Sequence, residues 1–206
     1  ATTLSLGNIR AGAAVSGVSL TFYNTASNDG FSDLLGVSTT GTGGFGAASG
    51  GSLSLTGGSN ALVAIGYTGE TTVPGPKNGV LTFAQTSVGQ TGTGLAPVAL
   101  TSSTLSVTAN VFRMAAGTLA QSGTVLANNG TLQLAPIREG GTFGFTTVDV
   151  RNVAISTDAF SERLNAAIGG TQGFAVGSGS VSALAAGGTS ASALTLGFGS
   201  QSFALA

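Results

Sequence analysis

Few side chains in this sequence of 206 residues could carry out chemistry. His and Cys are both absent, which removes the usual ligands of zinc, haem and iron–sulfur clusters and makes Ser-His and Cys-His pairs impossible. Among the acidic residues, Asp33 and Glu162 follow the same Phe-Ser dipeptide. Two such carboxylates act as a general acid and base only when both line one cleft. Because they lie in repeated segments, we expect each to accept backbone N–H bonds in a loop of its own domain.

Two arginines recur in the same way. Arg10 and Arg138 each follow an isoleucine, and each could hold Asp33 or Glu162 in a bidentate ion pair within its own domain. Solvated arginines at strand ends are the equal alternative. The loop with Asp29 falls short of the six to eight oxygen ligands that calcium takes. The sequence therefore predicts structural ion pairs, no catalytic or metal site and no cofactor.

The low charge content disfavours other classes of protein. Charged residues make up 6% of the chain, the net charge is −1 and there is no basic run, whereas nucleic-acid binding needs clustered Lys and Arg. No stretch approaches the roughly 18 continuous apolar residues of a membrane helix, so we expect no membrane span. A hydrophobic content of 42% disfavours disorder. A folded chain with so little charge associates readily, as a polymer or surface layer should.

The dominant pattern in the chain is alternation of apolar and polar residues, which is typical of strands with one buried face. The alternating runs are short and are separated by clusters of Gly, Asn, Asp or Ser. They include Val18–Phe22, Ser52–Leu55, Thr104–Val111, Thr131–Leu134, Thr146–Arg151 and Ala193–Leu196. Short strands with a turn about every ten residues predict an all-β protein built of Ig-like antiparallel β-sandwiches.

One segment favours a short helix instead. Residues 158–168 begin with Asp158, a suitable N-cap, and place Phe160, Leu164 and Ile168 at i, i+4 and i+8. We therefore expect at most one short helix, of one or two turns, near 158–168.

An internal repeat divides the chain. The segment Leu4–Gly12 (LSLGNIRAG) matches Leu132–Gly140 (LQLAPIREG). Further matches follow in the same order: Phe22–Asn24 with Val150–Asn152, Phe31–Leu35 with Phe160–Leu164, Ser52–Gly58 with Ser180–Gly187, and Ala61–Tyr67 with Ala193–Phe198. This order indicates a tandem duplication. We predict a first domain at 1–116, a linker at 117–130 that could hold an accessory strand, and a shortened second domain at 131–206.

The first copy resembles a known repeat family. Its start, Leu6–Gly12 followed by Asn24–Ala26 and Asp29–Leu34, and its end, Ala109–Ala115, resemble the choice-of-anchor D type of Ig-like repeat. The second copy departs from that pattern at Pro136 and lacks the C-terminal half. The resemblance implies tandem Ig-like domains of an exported bacterial surface protein, and it says little about activity.

The second copy lacks a counterpart of 70–115, about two or three strands by the spacing of the alternating runs. Such a domain would expose an apolar groove and unpaired backbone groups. Both chain ends are uncharged β-type segments: Ala1, Thr2, Thr3, Leu4, Ser5 and Leu6 at one end, and Gln201, Ser202, Phe203, Ala204, Leu205 and Ala206 at the other. We expect one end to complete a sheet in a neighbouring subunit, giving a head-to-tail polymer. The equal alternative places the missing strands further along a longer chain.

These features favour a non-enzymatic structural subunit of an extracellular bacterial filament, pilus-like fibre or biofilm matrix, whose main partner is another copy of itself. A first residue of Ala1 rather than Met fits an exported protein from which a signal peptide has been removed. The alternative is an adhesin or carbohydrate-binding module of a larger surface protein. Its aromatic side chains would stack on sugars, and the candidates are Tyr23 and Tyr67.

Overall fold

A computed structural model describes residues 2–15, 17–127, 130–132, 134, 144–169 and 174–198. All the regular elements among them are β-strands, so the predicted all-β class is confirmed. No helix in these residues is long and apolar enough to cross a membrane. The chain forms two compact units, Ala1–Phe112 and Arg113–Ala206.

The first unit is an Ig-like β-sandwich. Its strands are β1 (Thr3–Arg10), β2 (Val18–Tyr23), β3 (Leu34–Gly41), β4 (Phe45–Ser49), β5 (Ser52–Leu55), β6 (Asn60–Tyr67), β7 (Gly75–Val88), β8 (Val98–Ala99) and β9 (Ser103–Phe112). One sheet has the order β1-β9-β7-β3-β5, with β8 beside β7, and the other has the order β2-β6-β4. Alternate residues of both sheets form one core, in which Val63, Ile65, Leu81 and Val111 are fully buried.

Strand β1 corrects one expectation about the chain ends. It pairs in parallel with β9, from Thr3 opposite Ser106 to Arg10 opposite Phe112. Leu4 and Leu6 pack against the core of the first unit. The described part of this end, Thr2–Leu6, is therefore engaged in its own domain and is not free to be donated to a neighbour.

The second unit begins earlier than predicted. Its strands are β10 (Gly117–Gln121), β11 (Thr124–Leu126), β12 (Thr146–Asn152), β13 (Leu164–Ala167), β14 (Phe174–Val176), β15 (Ser180–Leu184) and β16 (Thr189–Phe198). One sheet has the order β11-β10-β12-β16-β14, and β13 pairs with β15 in a second. The predicted linker at 117–130 is thus wrong for its first half, because β10 joins the sheet through β12.

Residues 158–168, where we expected at most one short helix, contain none. Residues 156–163 follow an irregular loop in which the Arg113 N–H donates to the Phe160 carbonyl and the Glu162 N–H to the Arg113 carbonyl. Leu164–Ala167 then forms β13. The apolar spacing that suggested a helix arises because Leu164, Ala166 and Ile168 alternate toward the interior of the second unit.

Candidate functional site

A buried asparagine holds the same corner in both units. The Asn24 Nδ2 donates to the carbonyls of Asp33 (3.2 Å) and Leu55 (3.0 Å), and its Oδ1 accepts from the Ala26 N–H. Asn152, 1% exposed, donates likewise to the carbonyls of Glu162 (3.2 Å) and Leu184 (3.1 Å) and accepts from the Ala154 N–H.

The matching corners fix which strands correspond. In the first unit, Asn24 joins Asp33, just before β3, to Leu55 of β5. In the second unit, Asn152 joins Glu162, which precedes β13, to Leu184 of β15. Accordingly Leu35 faces Leu55 in one unit as Leu164 faces Leu184 in the other. Strand β13 is therefore the counterpart of β3, and the two can be compared directly.

Strand β3 is paired along both edges. On one side it meets β5, and on the other it pairs with β7 from Leu34 opposite Val88 to Gly41 opposite Leu81. Leu81 and Phe83 of β7 are buried in the core, and the Phe83 ring lies 5.0 Å from that of Phe22. Strand β7 thus lies beside β3 in the same sheet and extends the apolar inner face of the first sandwich.

Strand β13 has a partner on one edge only, as far as the described residues go. It pairs with β15, at Ala166 opposite Val181 and Ala167 opposite Ser180. Among the described residues, no strand pairs with its other edge, which corresponds to the β7 side of β3, so the backbone N–H and C=O groups of that edge are available to a further strand. An edge of this kind is a template for β-strand addition.

An apolar groove of about 500 Å³ runs beside this edge between the two sheets of the second unit. The described residues of its lining carry no charged side chain and include Leu119, Leu132, Val148, Leu164, Ala166 and Ile168. Val37 of β3, which pairs with Gln85 of β7, is 2% exposed, whereas the corresponding Ala166 of β13 is half-buried. The groove and the open edge together form the candidate functional site.

The predicted ion pair between Arg10 and Asp33 is wrong. Arg10 ends β1 near Gly75, where β7 begins, whereas Asp33 precedes β3 at the Val88 end of β7. The length of β7 separates the two ends by about 40 Å at 3.3 Å per residue. Asp33 instead accepts a hydrogen bond of 2.6 Å from the Ser87 hydroxyl.

Several of the residues predicted from the sequence lie outside the described residues. They are Arg138 of the second predicted pair, Ala1, and Gln201–Ala206. Glu162 is half-buried, and its backbone N–H and carbonyl both take part in the loop that precedes β13. Asp33 and Glu162 thus share a structural position in separate units, as their repeated sequence context indicated.

An ion pair that sequence reasoning missed joins Arg113 to Asp158. The guanidinium Nη1 lies 2.7 Å from each carboxylate oxygen. Hydrogen bonds from Arg113 and from the Phe160 N–H lower the pKa of Asp158 below its ordinary value. The missed signal was the repeat itself, which aligns Asp158 with Asp29 and so marks both as loop-stabilising acids.

No family model and no curated protein matches the chain. Among solved structures, it is similar to the E. coli chaperone DraB (11% identity, TM-score 0.36, 98% of this chain and 85% of that one). It is also similar to the chaperone YadV (8%, 0.38, 97% and 83%) and to the Salmonella enterica SafA pilin in complex with the SafB chaperone (13%, 0.33, 96% and 81%). At such identities and scores none of these likenesses indicates what this chain does. The resemblance to choice-of-anchor D repeats stays a prediction.

Proposed function

We propose that this chain is a non-enzymatic structural subunit of an extracellular bacterial filament or surface assembly. Subunits join when the groove of the second unit accepts a β-strand from another copy. The observation that carries this proposal is the edge of β13 at the position that β7 fills in the first unit: within the described part of the chain it has no strand partner, and the groove beside it has no charged side chain. A bound strand gains main-chain hydrogen bonds along the edge and buries apolar side chains in the groove.

The C-terminal segment Gln201–Ala206 is the donor in this proposal. Phe203 and Leu205 alternate with small residues, in the pattern by which β7 presents Leu81 and Phe83 to the core of the first unit. The segment carries no charged side chain to desolvate. Strand β1 is already paired in its own sheet, which disfavours the N-terminal end as donor.

The proposal is tested by placing a charge in the groove. The substitution Ala166→Asp introduces a carboxylate that a bound strand would strip of water, so we expect the variant to remain a folded monomer. Polymers of the parent chain would be seen by negative-stain microscopy and by sedimentation velocity. Deleting Gln201–Ala206 should give the same loss of polymer through the donor.

The matched control is Asn165→Asp in the same strand. Asn165 is exposed, and its Oδ1 accepts from the Ala183 N–H, a role that an aspartate keeps. This variant adds the same charge away from the groove and should polymerise like the parent. A monodisperse monomer from the intact chain, or polymers of Ala166→Asp equal to those of the parent, would overturn the proposal.

A further inference from the structure

The second unit contains an extended segment that covers the outer edge of its sheet. Residues Arg113–Gln121, which we call the entry segment, run beside the loop at 158–162 and then pair as β10 with β12. Arg113 forms a bridge with Ser161, and the Ala116 N–H donates to the Asn152 Oδ1 (3.2 Å). The Arg113 side chain closes the contact through its ion pair with Asp158.

The first unit repeats the receiving side of this contact. Asp29 corresponds to Asp158, and each accepts a 2.9 Å hydrogen bond from the N–H of a phenylalanine two residues later. The buried Asn24 corresponds to Asn152. Strand β2 corresponds to β12 in this comparison.

The corresponding position in the first unit is open among the described residues. Strand β2 pairs there with β6 alone, whereas β12 lies between β10 and β16. A cleft of about 690 Å³ adjoins the Tyr23 end of β2, and it is lined by Tyr23, Asn24, Phe31 and Asp33 together with residues of β3 and β7. Phe31 is 94% exposed. Its counterpart Phe160 is half-buried, and the Phe160 carbonyl accepts from the Arg113 N–H of the entry segment.

We propose that the outer edge of β2, with the Asp29 loop and this cleft, is a docking site for an entry segment supplied by another unit of the same repeat. The occupant is an extended strand led by an arginine, because the second unit shows that strand in place with its guanidinium on the equivalent aspartate. Asp29 is exposed and offers a carboxylate at the same position, although its Oδ1 already accepts from the Phe31 N–H and from the N–H and hydroxyl of Ser32. The backbone of β2 offers the edge that β12 gives to β10.

This docking site is separate from the groove. Its residues belong to the first unit, and the groove is lined by residues of the second. An Ala166→Asp chain should therefore bind an entry segment as the parent does. Failure of the docking site and failure of the proposed function can thus be told apart.

The test uses a labelled peptide with the sequence of Arg113–Gln121 (RMAAGTLAQ) added to the full chain. Binding is measured by fluorescence anisotropy and located by hydrogen-exchange mass spectrometry. We expect the peptide to slow exchange in Val18–Tyr23 and in the Asp29 loop. Replacing its arginine by glutamine, or Asp29→Asn in the chain, should weaken binding about threefold, the usual range for an exposed ion pair.

The matched control is Asp158→Asn, the same change at the equivalent position of the second unit, which should leave peptide binding to the first unit unaltered. Absence of protection in Val18–Tyr23 at saturating peptide overturns the proposal, as does protection confined to β12. Protection by a neutral oligosaccharide and none by the peptide would assign the cleft to sugars and overturn it as well.

Discussion

Two asparagines hold the most consequential side-chain contacts of the molecule. Asn24 and Asn152 are both buried, and each bridges two carbonyls and at least one N–H of its own unit. A buried polar group with all its partners satisfied stabilises a fold, whereas partners left behind after its removal are costly. The same side chain therefore sets the start of β3 in one unit and of β13 in the other.

The first prediction concerns this corner. Asn152→Ala leaves the carbonyls of Glu162 and Leu184 without their donor, so we expect the free energy of unfolding of the second unit to fall by about 3 kcal/mol. Denaturant unfolding followed by circular dichroism measures the change. Asn60→Ala, at an exposed strand position, is the control and should stay within about 0.5 kcal/mol. Equal effects of the two substitutions would contradict the role given to Asn152.

The second prediction concerns pH. The pKa of Asp158 is lowered in the folded chain, by Arg113 first and the Phe160 N–H second. Its contribution to stability is therefore complete above the unfolded carboxyl pKa of about 3.9 and is lost as the pH falls through the lower folded value. Carboxyl-carbon NMR titration should show Arg113→Gln raising the pKa of Asp158. The pKa of Asp29, which backbone and Ser32 hydrogen bonds lower, should not change. A shift of both, or of neither, would count against the pairing.

At the scale of elements, alternation in the sequence predicted most of the strands. Val18–Phe22 and Ser52–Leu55 fall within β2 and β5, where one face is buried. The entry segment could not be predicted in the same way, because 117–121 is rich in small residues and its strand conformation depends on pairing with β12. Residues 158–168 misled for a related reason, since Leu164 and Ile168 satisfy a helical spacing and a strand spacing equally.

The candidate groove was predicted only as a consequence of missing strands. No segment of the second copy matches 70–115, the region that forms β7 and β9 in the first, and this difference is what predicts an open edge. The repeat could not identify β13 as that edge. Leu164 matches Leu35 in sequence, but only the hydrogen bonds of Asn152 show that the two residues lie in equivalent strands. Pairing along the sheet, which is non-local, was beyond the sequence pattern.

The third prediction compares the two equivalent strands. Strand β3 has partners on both edges, whereas the described residues give β13 a partner on one, so in unassembled chains the amides of Leu164–Ala167 should exchange at least about tenfold faster than those of Leu35–Ser38. Hydrogen-exchange mass spectrometry resolves the two segments. On polymerisation, protection of β13 should rise toward that of β3 while β3 stays unchanged. Equal protection before assembly would mean that β13 already has a second partner.

At the scale of the whole molecule, the scarcity of charge and the groove beside β13 both favour association between chains. Natural proteins protect exposed edges with Lys, Glu or Pro; none of these lies in β13, and none is among the described residues that line the groove. The net charge of −1 adds little repulsion between chains. A subunit whose edges are meant to be joined needs neither safeguard.

The central claim is that a strand from one copy enters the groove of another, and cysteine crosslinking tests it most directly. The chain has no Cys, so a disulfide can form only at introduced positions. Ala167→Cys places a thiol at the exposed side of the β13 edge, and Ala204→Cys places one on the donor segment. The two variants are prepared separately, one isotopically labelled, then mixed and mildly oxidised, and intact mass is measured without reductant.

We expect a disulfide between a labelled and an unlabelled chain, because adjacent strands bring Cα atoms to about 5.5 Å, within reach of the bond. Mixing Ala204→Cys with Asn60→Cys, an exposed position of the first unit, is the control and should give little product. Equal yields from the two mixtures would contradict the account. A double variant with both Ala167→Cys and Ala204→Cys provides a second check. If its disulfide formed only within single chains, that result would also contradict the account.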